Sequence, residues 1–429
     1  MKEVNEMKVC VLTLGCKVNA YESEFIKELF KKNQDELTGL GANPDVIVIN
    51  TCTVTNQSDA KSRKLIRQAR KQNPHSILAV CGCSAQQHGE VLRSLGVDIL
   101  LGNKDKSKLL ELVEDFRKTK QPITRLYDLK ACPFENMEIS NFTGRTRAFV
   151  KIQDGCNNYC TYCIIPYVRG SIRSRVLTDA YKEIKDLVNN GYQEVVLTGI
   201  HTGSYGTGTD ANLVTLIKKI SELESLKRIR ISSIEITEIT SEFLDELKNN
   251  PKLCSHLHIP LQSGADNVLK MMNRKYDMEE YHKIINKIRA IRPEINITTD
   301  VIVGFPSETE ADFETTVNNI KELRFGKLHV FPYSKRNGTV AAKLKNIVSE
   351  AEKKSRSQNL LALSDELESA YCEQFIGKKL MVLVEEANVN GATGHTSNYI
   401  KAMVNKKLLP NQEYECKIVA LDGKNVKGE

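Results

Sequence analysis

Twice along the chain, short runs rich in β-branched residues alternate with amphipathic helical stretches, and this alternation restricts the fold more than any other property of the sequence. Over residues 8–102 the runs KVCVLTLG, DVIVINT and SILAVCG are separated by AYESEFIKELFKK and DAKSRKLIRQARKQ and followed by GEVLRSLG. Such βαβαβα order predicts an α/β domain with an open parallel sheet, assigned to residues 1–105. From residue 147 the rhythm resumes in longer units: RAFVKIQ, EVVLTGI, RIRISSI, HLHIPL, ITTDVIVGF and KLHVFPY. Six such units fall short of the eight of a closed TIM barrel, so a partial, open (β/α)6 barrel is expected. It is followed by a helix that Ser349 and Glu352 open as a capping box, the two together spanning 147–375. The charged stretch KDKSKLLELVEDFRKTK and the irregular DLKACPFENMEISNFTGRTR between the two units read as a linker over 106–146. Residues 377–429 hold short β-type runs broken by Gly, Asn and Pro, which predict a small all-β barrel.

Twelve cysteines in 429 residues are too sparse for a disulfide scaffold, and their grouping points to metal or redox chemistry in a reducing compartment. A cytoplasmic location is expected. No apolar run approaches the ~18 residues of a membrane span, and VCVLTLGC is too short, with Glu3 and Glu6 before it, to act as a lipoprotein signal. The net charge of +7 permits a polyanionic partner without demanding one.

Cys16, Cys52 and Cys83 each lie just beyond a different predicted strand, in TLGCKVN, INTCTVT and VCGCSAQ. Parallel sheets gather ligands at the carboxyl ends of their strands, so these thiols are expected to meet. Cys10 and Cys81 lie within strands and read as core, although Cys81 shares a side with Cys83 if the strand continues and is a rival ligand. GCNNYCTYC directly follows the first barrel strand and places Cys156, Cys160 and Cys163 in one loop. A closed zinc site takes four ligands, and three thiolates make zinc a poor Lewis acid with no base beside it. Three thiolates on a [4Fe–4S] cluster instead leave one iron open to a substrate or cosubstrate.

CNNYCTYC at the mouth of a six-unit barrel resembles the signature of the radical S-adenosylmethionine (SAM) superfamily. With TLGCKVN, NTCTVT, GCSAQ, HIPLQSGADNVLKMMNRKY and TTDVIVGFPSET, the resemblance narrows to the methylthiotransferases over nearly the whole chain. It implies a radical SAM [4Fe–4S] cluster on Cys156, Cys160 and Cys163 that cleaves SAM to a 5′-deoxyadenosyl radical. It also implies an auxiliary [4Fe–4S] cluster on Cys16, Cys52 and Cys83, the GC-AQ match selecting Cys83 over Cys81, and two SAM molecules per turnover. SAM contacts are expected from Tyr162, from Gly199 in LTGI, from Ser233 and Glu235 in SSIE, and from Gln262 and Asp300 near later strand ends. His256 and His258 share one side of a strand and read as packing and hydrogen-bonding groups.

The C-terminal barrel resembles the RNA-binding TRAM domain, with His395, Asn398, Tyr399 and Lys401 of GHTSNYIK as stacking or hydrogen-bonding groups. Arg169, Arg173 and Arg175 lie just past the cluster loop and are expected to meet phosphate or base edges, and with Arg274 of MMNRKY they are the candidates to pair with a substrate carboxylate. LGCKVN differs from the LGCPKN of the branch that modifies a ribosomal protein and from the YGCQMN of the isopentenyladenosine branch. The resemblance therefore implies a tRNA substrate, N6-threonylcarbamoyladenosine (t6A) in the anticodon stem–loop. The isopentenyl and protein-modifying activities are the alternatives, together with a non-catalytic metal scaffold for RNA. A monomer served by a flavodoxin or ferredoxin reductant is expected, while the sulfur donor is not identified by the sequence.

Overall fold

The computed structural model describes residues 6–142 and 144–429. The first five residues of the expected N-terminal domain, with Glu3, and Thr143 of the expected linker lie outside the described residues. The first unit is a parallel sheet of β1 (Lys8–Thr13), β2 (Glu36–Leu37), β3 (Val46–Thr51), β4 (Ile77–Gly82), β5 (Ile99–Leu101) and β6 (Ile123–Arg125) in the order β2-β1-β3-β4-β5-β6. Strands β3 and β4 are buried along their whole length because helices cover both faces. On one face α1 (Lys17–Lys32) lays Ile26 and Phe30 on Val46 and Val48. On the other, α2 (Asn56–Gln72) and α3 (Cys83–Arg93) lay Ile66, Ala69 and Leu92 on Ile47 and Ile49. Alternate strand residues thus enter different cores, each fully buried aliphatic side chain contributing about 1.5–3 kcal/mol.

The expected linker boundary is corrected here. Residues 109–119 form α4 (Leu109–Thr119), whose Leu109, Leu112, Val113 and Phe116 share the α1 face of the sheet. Strand β6 then pairs with β5, Ile99 opposite Ile123. An apolar stripe at i, i+3, i+4, i+7 has to be buried, and the sheet face beside it was open. The rest of the segment joins the two units: Met137, Ile139 and Phe142 are buried in the barrel core, and Tyr21 of α1 donates to the Met137 carbonyl at 2.5 Å.

The second unit contains β7 (Arg147–Lys151), β8 (Gln153–Asp154), α5 (Ile165–Arg169), β9 (Arg173–Ser174), β10 (Glu194–Thr198), β11 (Arg228–Ile231), β12 (His256–His258), β13 (Asn296–Val303) and β14 (Lys327–Pro332). The six expected barrel strands are parallel within two sheets, β11-β10-β7 and β12-β13-β14, and an isolated bridge between Ile229 and Leu253 lies at the junction. The antiparallel pair β8–β9, absent from the sequence reading, clasps the cysteine loop at its base. The Ser349–Glu352 capping box forms and opens the helix Glu350–Glu373, whose Ser364 hydroxyl accepts from Leu328 N–H on β14 at 3.0 Å.

Strands β15 (Lys379–Asn388), β16 (Gly391–Thr396), β17 (Lys401–Val404), β18 (Glu413–Asp422) and β19 (Asn425–Gly428) close a five-stranded barrel. Arg228 at the start of β11 ties it down, donating to the carbonyls of His395 at 2.7 Å and Met381 at 2.8 Å. Buried Glu194 pairs with both Arg228 and Arg230 beneath this contact. Among the described residues no helix is long and apolar enough to cross a membrane.

Candidate active site

Cys16 caps α1, Cys52 directly follows β3, and Cys83 is the first residue of α3 after β4. Because β1, β3 and β4 are adjacent, their carboxyl ends bring the three thiols together. Burial raises the Cys52 thiol first, with Cys83 and Cys16 as near neighbours adding to it. Gly82 makes the approach possible: its φ is +97°, and a Cβ there would stand 2.5 Å from the Thr51 carbonyl oxygen. Cys10 and Cys81 are buried among core side chains, as read.

Beneath this triplet lies a buried charge network. Arg169 is fully enclosed; its Nε donates to Cys83 Sγ at 3.2 Å and its Nη2 to Asn19 Oδ1 at 2.8 Å. Its Nη1 pairs with Glu22 at 3.2 Å and Asp154 at 3.1 Å, and Lys106 and Lys151 complete the set around Glu22. Burial alone would raise the Glu22 carboxyl, but Lys106, Lys151 and Arg169 outweigh it and hold it well below the usual carboxylate range.

Cys156, Cys160 and Cys163 occupy the loop clasped by β8 and β9. Gly155, with φ +75°, passes so close to the return chain that a Cβ would lie 1.9 Å from the Ser171 carbonyl oxygen. Arg274 Nη1 donates to Cys160 Sγ at 3.3 Å while Nη2 is held by Glu235. Burial, then Cys160 and Cys156, push Cys163 up to about 12. Burial lowers His201, but hydrogen bonds to Cys156 and Glu238 outweigh it and raise it to about 10. Three enclosed thiolates need positive charge among them, which cluster iron supplies. Among the described residues no three His, Cys, Asp or Glu groups converge as ligands of a single ion. A donor set of three thiols suits a cubane, whose thiolates bind separate irons.

One small space lies between the cysteine loop and the segment that follows Cys52. A cavity of about 220 Å³ is walled by Cys163 and Tyr162 on one side and by Val54 and Thr55, just past Cys52, on the other. Gln262, with φ +64°, and Asp300 lie in the same wall; Gln262 N–H donates to the Asp300 carbonyl at 2.8 Å. Asp300 and Phe331 also line a second cavity of about 490 Å³ inside the barrel, with Lys17, His256, His258, Thr298, His329, Tyr399 and Lys401 on its wall. Thr298 Oγ1 lies 3.2 Å from His256 Nε2 and 2.9 Å from His258 Nδ1. Lys17 is reached by solvent yet surrounded by protein, and this enclosure lowers its ammonium pKa.

The arginines expected at substrate sit elsewhere. Arg169 is walled in as described, Arg175 is buried against Glu183, and Arg173 donates to the carbonyls of Leu129 at 3.1 Å and Arg169 at 2.8 Å. Arg274 is held by Cys160, Glu235 and Tyr276. A guanidinium on a loop between two packed units is enclosed and has to be paired. Gly199 lies where Gln153 Oε1 accepts from the N–H groups of Ile200 and His201 at 3.0 and 2.8 Å, which fixes the turn. Ser233 and Glu235 follow β11, and Glu235 caps the turn at 236–238. In the C-terminal barrel Asn398 is buried, donating to Tyr371 Oη at 3.0 Å. His395 stacks on Tyr399 with ring centroids 5.0 Å apart, and Arg147 and Arg230 lie over Tyr399 at 5.1 and 4.6 Å. His395, Tyr399 and Lys401 line the barrel cavity, and Asn398 does not. Sequence reading missed Lys17, His329 and Gln153 here. It also missed Glu22, although a carboxylate among the buried residues Val18, Tyr21 and Ile26 of α1 signals a buried cation partner.

Two family descriptions match the chain: the Radical SAM superfamily over residues 150–320 and the Uncharacterized protein family UPF0004 over residues 8–102. The threonylcarbamoyladenosine tRNA methylthiotransferase MtaB of Bacillus subtilis (strain 168) is 47% identical over 400 residues, covering 91% of this chain and 89% of that protein. The chain belongs to the radical SAM methylthiotransferases. Another relative, the tRNA-2-methylthio-N(6)-dimethylallyladenosine synthase of Clostridium botulinum (strain Langeland), is 35% identical over 399 residues, covering 91% of this chain and 88% of that one. Among solved structures the chain is similar to the radical S-adenosylmethionine methyltransferase TsrM from Kitasatospora setae, with a TM-score of 0.56 over 76% of this chain and 75% of that one. At 13% identity this likeness is one of fold. As a radical SAM methylthiotransferase the chain is an enzyme, and its family implies a [4Fe–4S] cluster and SAM.

Proposed function

We propose that this enzyme converts N6-threonylcarbamoyladenosine beside the tRNA anticodon to its 2-methylthio derivative. The observation that supports this reading is a small cavity bordered by Cys163 and by Val54, two residues past Cys52, which shares Asp300 and Phe331 with the barrel cavity beside it. Cys156, Cys160 and Cys163 would hold the radical SAM cluster, and Cys16, Cys52 and Cys83 a second [4Fe–4S] cluster. Bound there with SAM, these groups would supply the one-electron chemistry that an unreactive adenine C–H bond requires. Two SAM molecules per turnover, one as methyl donor, fit the two chemical tasks.

The chain's own residues bind, orient and enclose. Arg169 and Arg274 each place a guanidinium on one thiol of a triplet, offsetting thiolate charge and fixing the ligand's position. Tyr162, Ile302, Phe331 and Tyr333 wall the small cavity and exclude water from it. Gln153 fixes the 199–201 turn beside Cys156 through the hydrogen bonds of its amide oxygen.

The barrel cavity favours t6A over the isopentenyl substrate, because His256, His258, Thr298 and Asp300 on its wall offer hydrogen bonds that a carbamoyl group can use and a prenyl chain cannot. An anticodon stem–loop is the RNA element that presents such a base, and a flavodoxin- or ferredoxin-type protein would supply electrons. The test compares tRNA nucleosides from a strain lacking this protein with those of its parent by mass spectrometry. Loss of the methylthio group from t6A alone is expected. Loss from the isopentenyl nucleoside instead would overturn the substrate, and no change in either would favour a protein substrate.

A further inference from the structure

The barrel cavity contains two cations without a carboxylate to neutralise them. Four lysines line it. Lys327 is paired with Glu368 at 3.0 Å and Lys424 with Asp365. Lys17 and Lys401 have no carboxylate partner among the described residues, and the lining acid Asp300 is engaged by His258 at 3.3 Å. The excess is larger than the two charges suggest. Lys17 is the first residue of α1, whose first turn holds no acidic residue, so its ammonium sits at the positive end of the helix dipole. Arg147 and Arg230, over the neighbouring Tyr399 ring, repel it further. Their own partners, Glu385 and Glu194, lie on the strands behind them. Placing a lysine against both a helix dipole and two guanidiniums costs stability, and an anionic ligand would relieve that cost.

Two lining residues add unused hydrogen-bonding capacity: Asn296 Oδ1 and His256 Nδ1 are buried without a protein partner. Lys17 adjoins Cys16, so a base presented to the thiol triplets would extend its N6 substituent toward this lysine.

Resting on the t6A reading, we infer that Lys17 and Lys401 form the subsite for the carboxylate of the threonylcarbamoyl group and so select a substrate that carries it. Lys17 comes from the N-terminal unit and Lys401 from the C-terminal barrel, which makes the subsite a product of two units. The arginines near the cluster loop are excluded from this role by their own partners.

The test uses reconstituted holoenzyme and synthetic anticodon stem–loops bearing the threonylcarbamoyl group as its free acid or as its methyl ester. The unaltered enzyme should prefer the acid by about 10- to 100-fold in kcat/KM, the range of one charge-assisted contact. In the Lys17→Met, Lys401→Met double variant that ratio should fall to about one, chiefly through KM for the acid. Iron content and the visible cluster absorption, read separately, should match the unaltered protein. Lys17→Arg with Lys401→Arg should keep the preference for the acid. If the Lys17→Met change impairs cluster assembly, Lys401→Met alone, away from the thiols, must still lower the ratio. An unaltered enzyme that treats acid and ester alike, or a double Met variant that keeps the original ratio, overturns the subsite while leaving the t6A assignment standing. An unaltered enzyme that modifies an isopentenyl loop and neither threonylcarbamoyl loop overturns the t6A assignment, and the subsite with it.

Discussion

The two thiol triplets are assembled by opposite routes. Cys156, Cys160 and Cys163 are neighbours because eight residues of one loop hold them, and a two-residue antiparallel pair closes the loop. Cys16, Cys52 and Cys83 are neighbours only because β1, β3 and β4 lie side by side, so each depends on the whole first sheet. Each triplet has one guanidinium on a thiol, Arg169 at 3.2 Å in the first and Arg274 at 3.3 Å in the second. Their surroundings differ. Arg169 is sealed among Glu22, Asp154, Lys106 and Lys151, whereas Glu235, the partner of Arg274, keeps 16% of its side chain exposed. The first triplet is thus built into the packing of the molecule, and the second into a local loop that can be altered with less structural consequence.

The largest effect separates the triplets by activity. Replacing Cys156, Cys160 and Cys163 by Ala should abolish SAM cleavage as well as methylthio transfer. Replacing Cys16, Cys52 and Cys83 by Ala should abolish transfer while SAM cleavage persists, measured as 5′-deoxyadenosine by chromatography. Equal loss of cleavage in both variants would break the division of labour.

A smaller effect compares the guanidiniums. Arg169→Met leaves Glu22 and Asp154 with less positive charge in a buried site, and should cost about 3–5 kcal/mol in urea unfolding. Arg274→Met should cost about 1–3 kcal/mol, since Glu235 can hydrate and retains its capping interactions. The reverse order would contradict the contrast drawn between the two environments.

The smallest effect is a pH dependence confined to the first triplet's surroundings. Glu22 is held below the usual carboxylate range in the folded protein, so its stabilisation is fully present above about pH 4.3, the ordinary Glu value. It is lost as pH falls from there through the depressed folded-state value. The protection of α1 amides, with the pH dependence of intrinsic exchange divided out, should therefore fall below about pH 4.3 and be insensitive to Glu22 at higher pH. A Glu22→Gln variant whose α1 exchange follows the same acid profile as the parent would show that this carboxylate does not set it.

Much of this architecture was legible in the chain because strands and helices alternate cleanly and the cysteines follow strand ends. What stayed hidden depends on contacts between units. Strand β6 is three residues long and carries no pattern of its own, yet it pairs because β5 leaves an edge beside it. Arg169 read as a substrate ligand because, in a Gly-containing stretch after the cluster loop, nothing local reveals that Glu22 and Asn19 of α1 close over it. GHTSNYIK read as an RNA platform because its aromatic and polar residues are the right types, but the turn they form is docked on Arg228 and Arg230. Lys17 was quoted as part of a motif without a role, since only the fold places it on the barrel cavity.

We propose two separate three-thiol cluster sites in this chain rather than one. Iron and acid-labile sulfide, measured on anaerobically reconstituted protein and on each triple-Ala variant, test it directly. Two cubanes require about eight irons in the unaltered protein and about four in either variant. About four irons in the unaltered protein, an unchanged iron count in either variant, or stoichiometric zinc in protein purified without oxygen would contradict it.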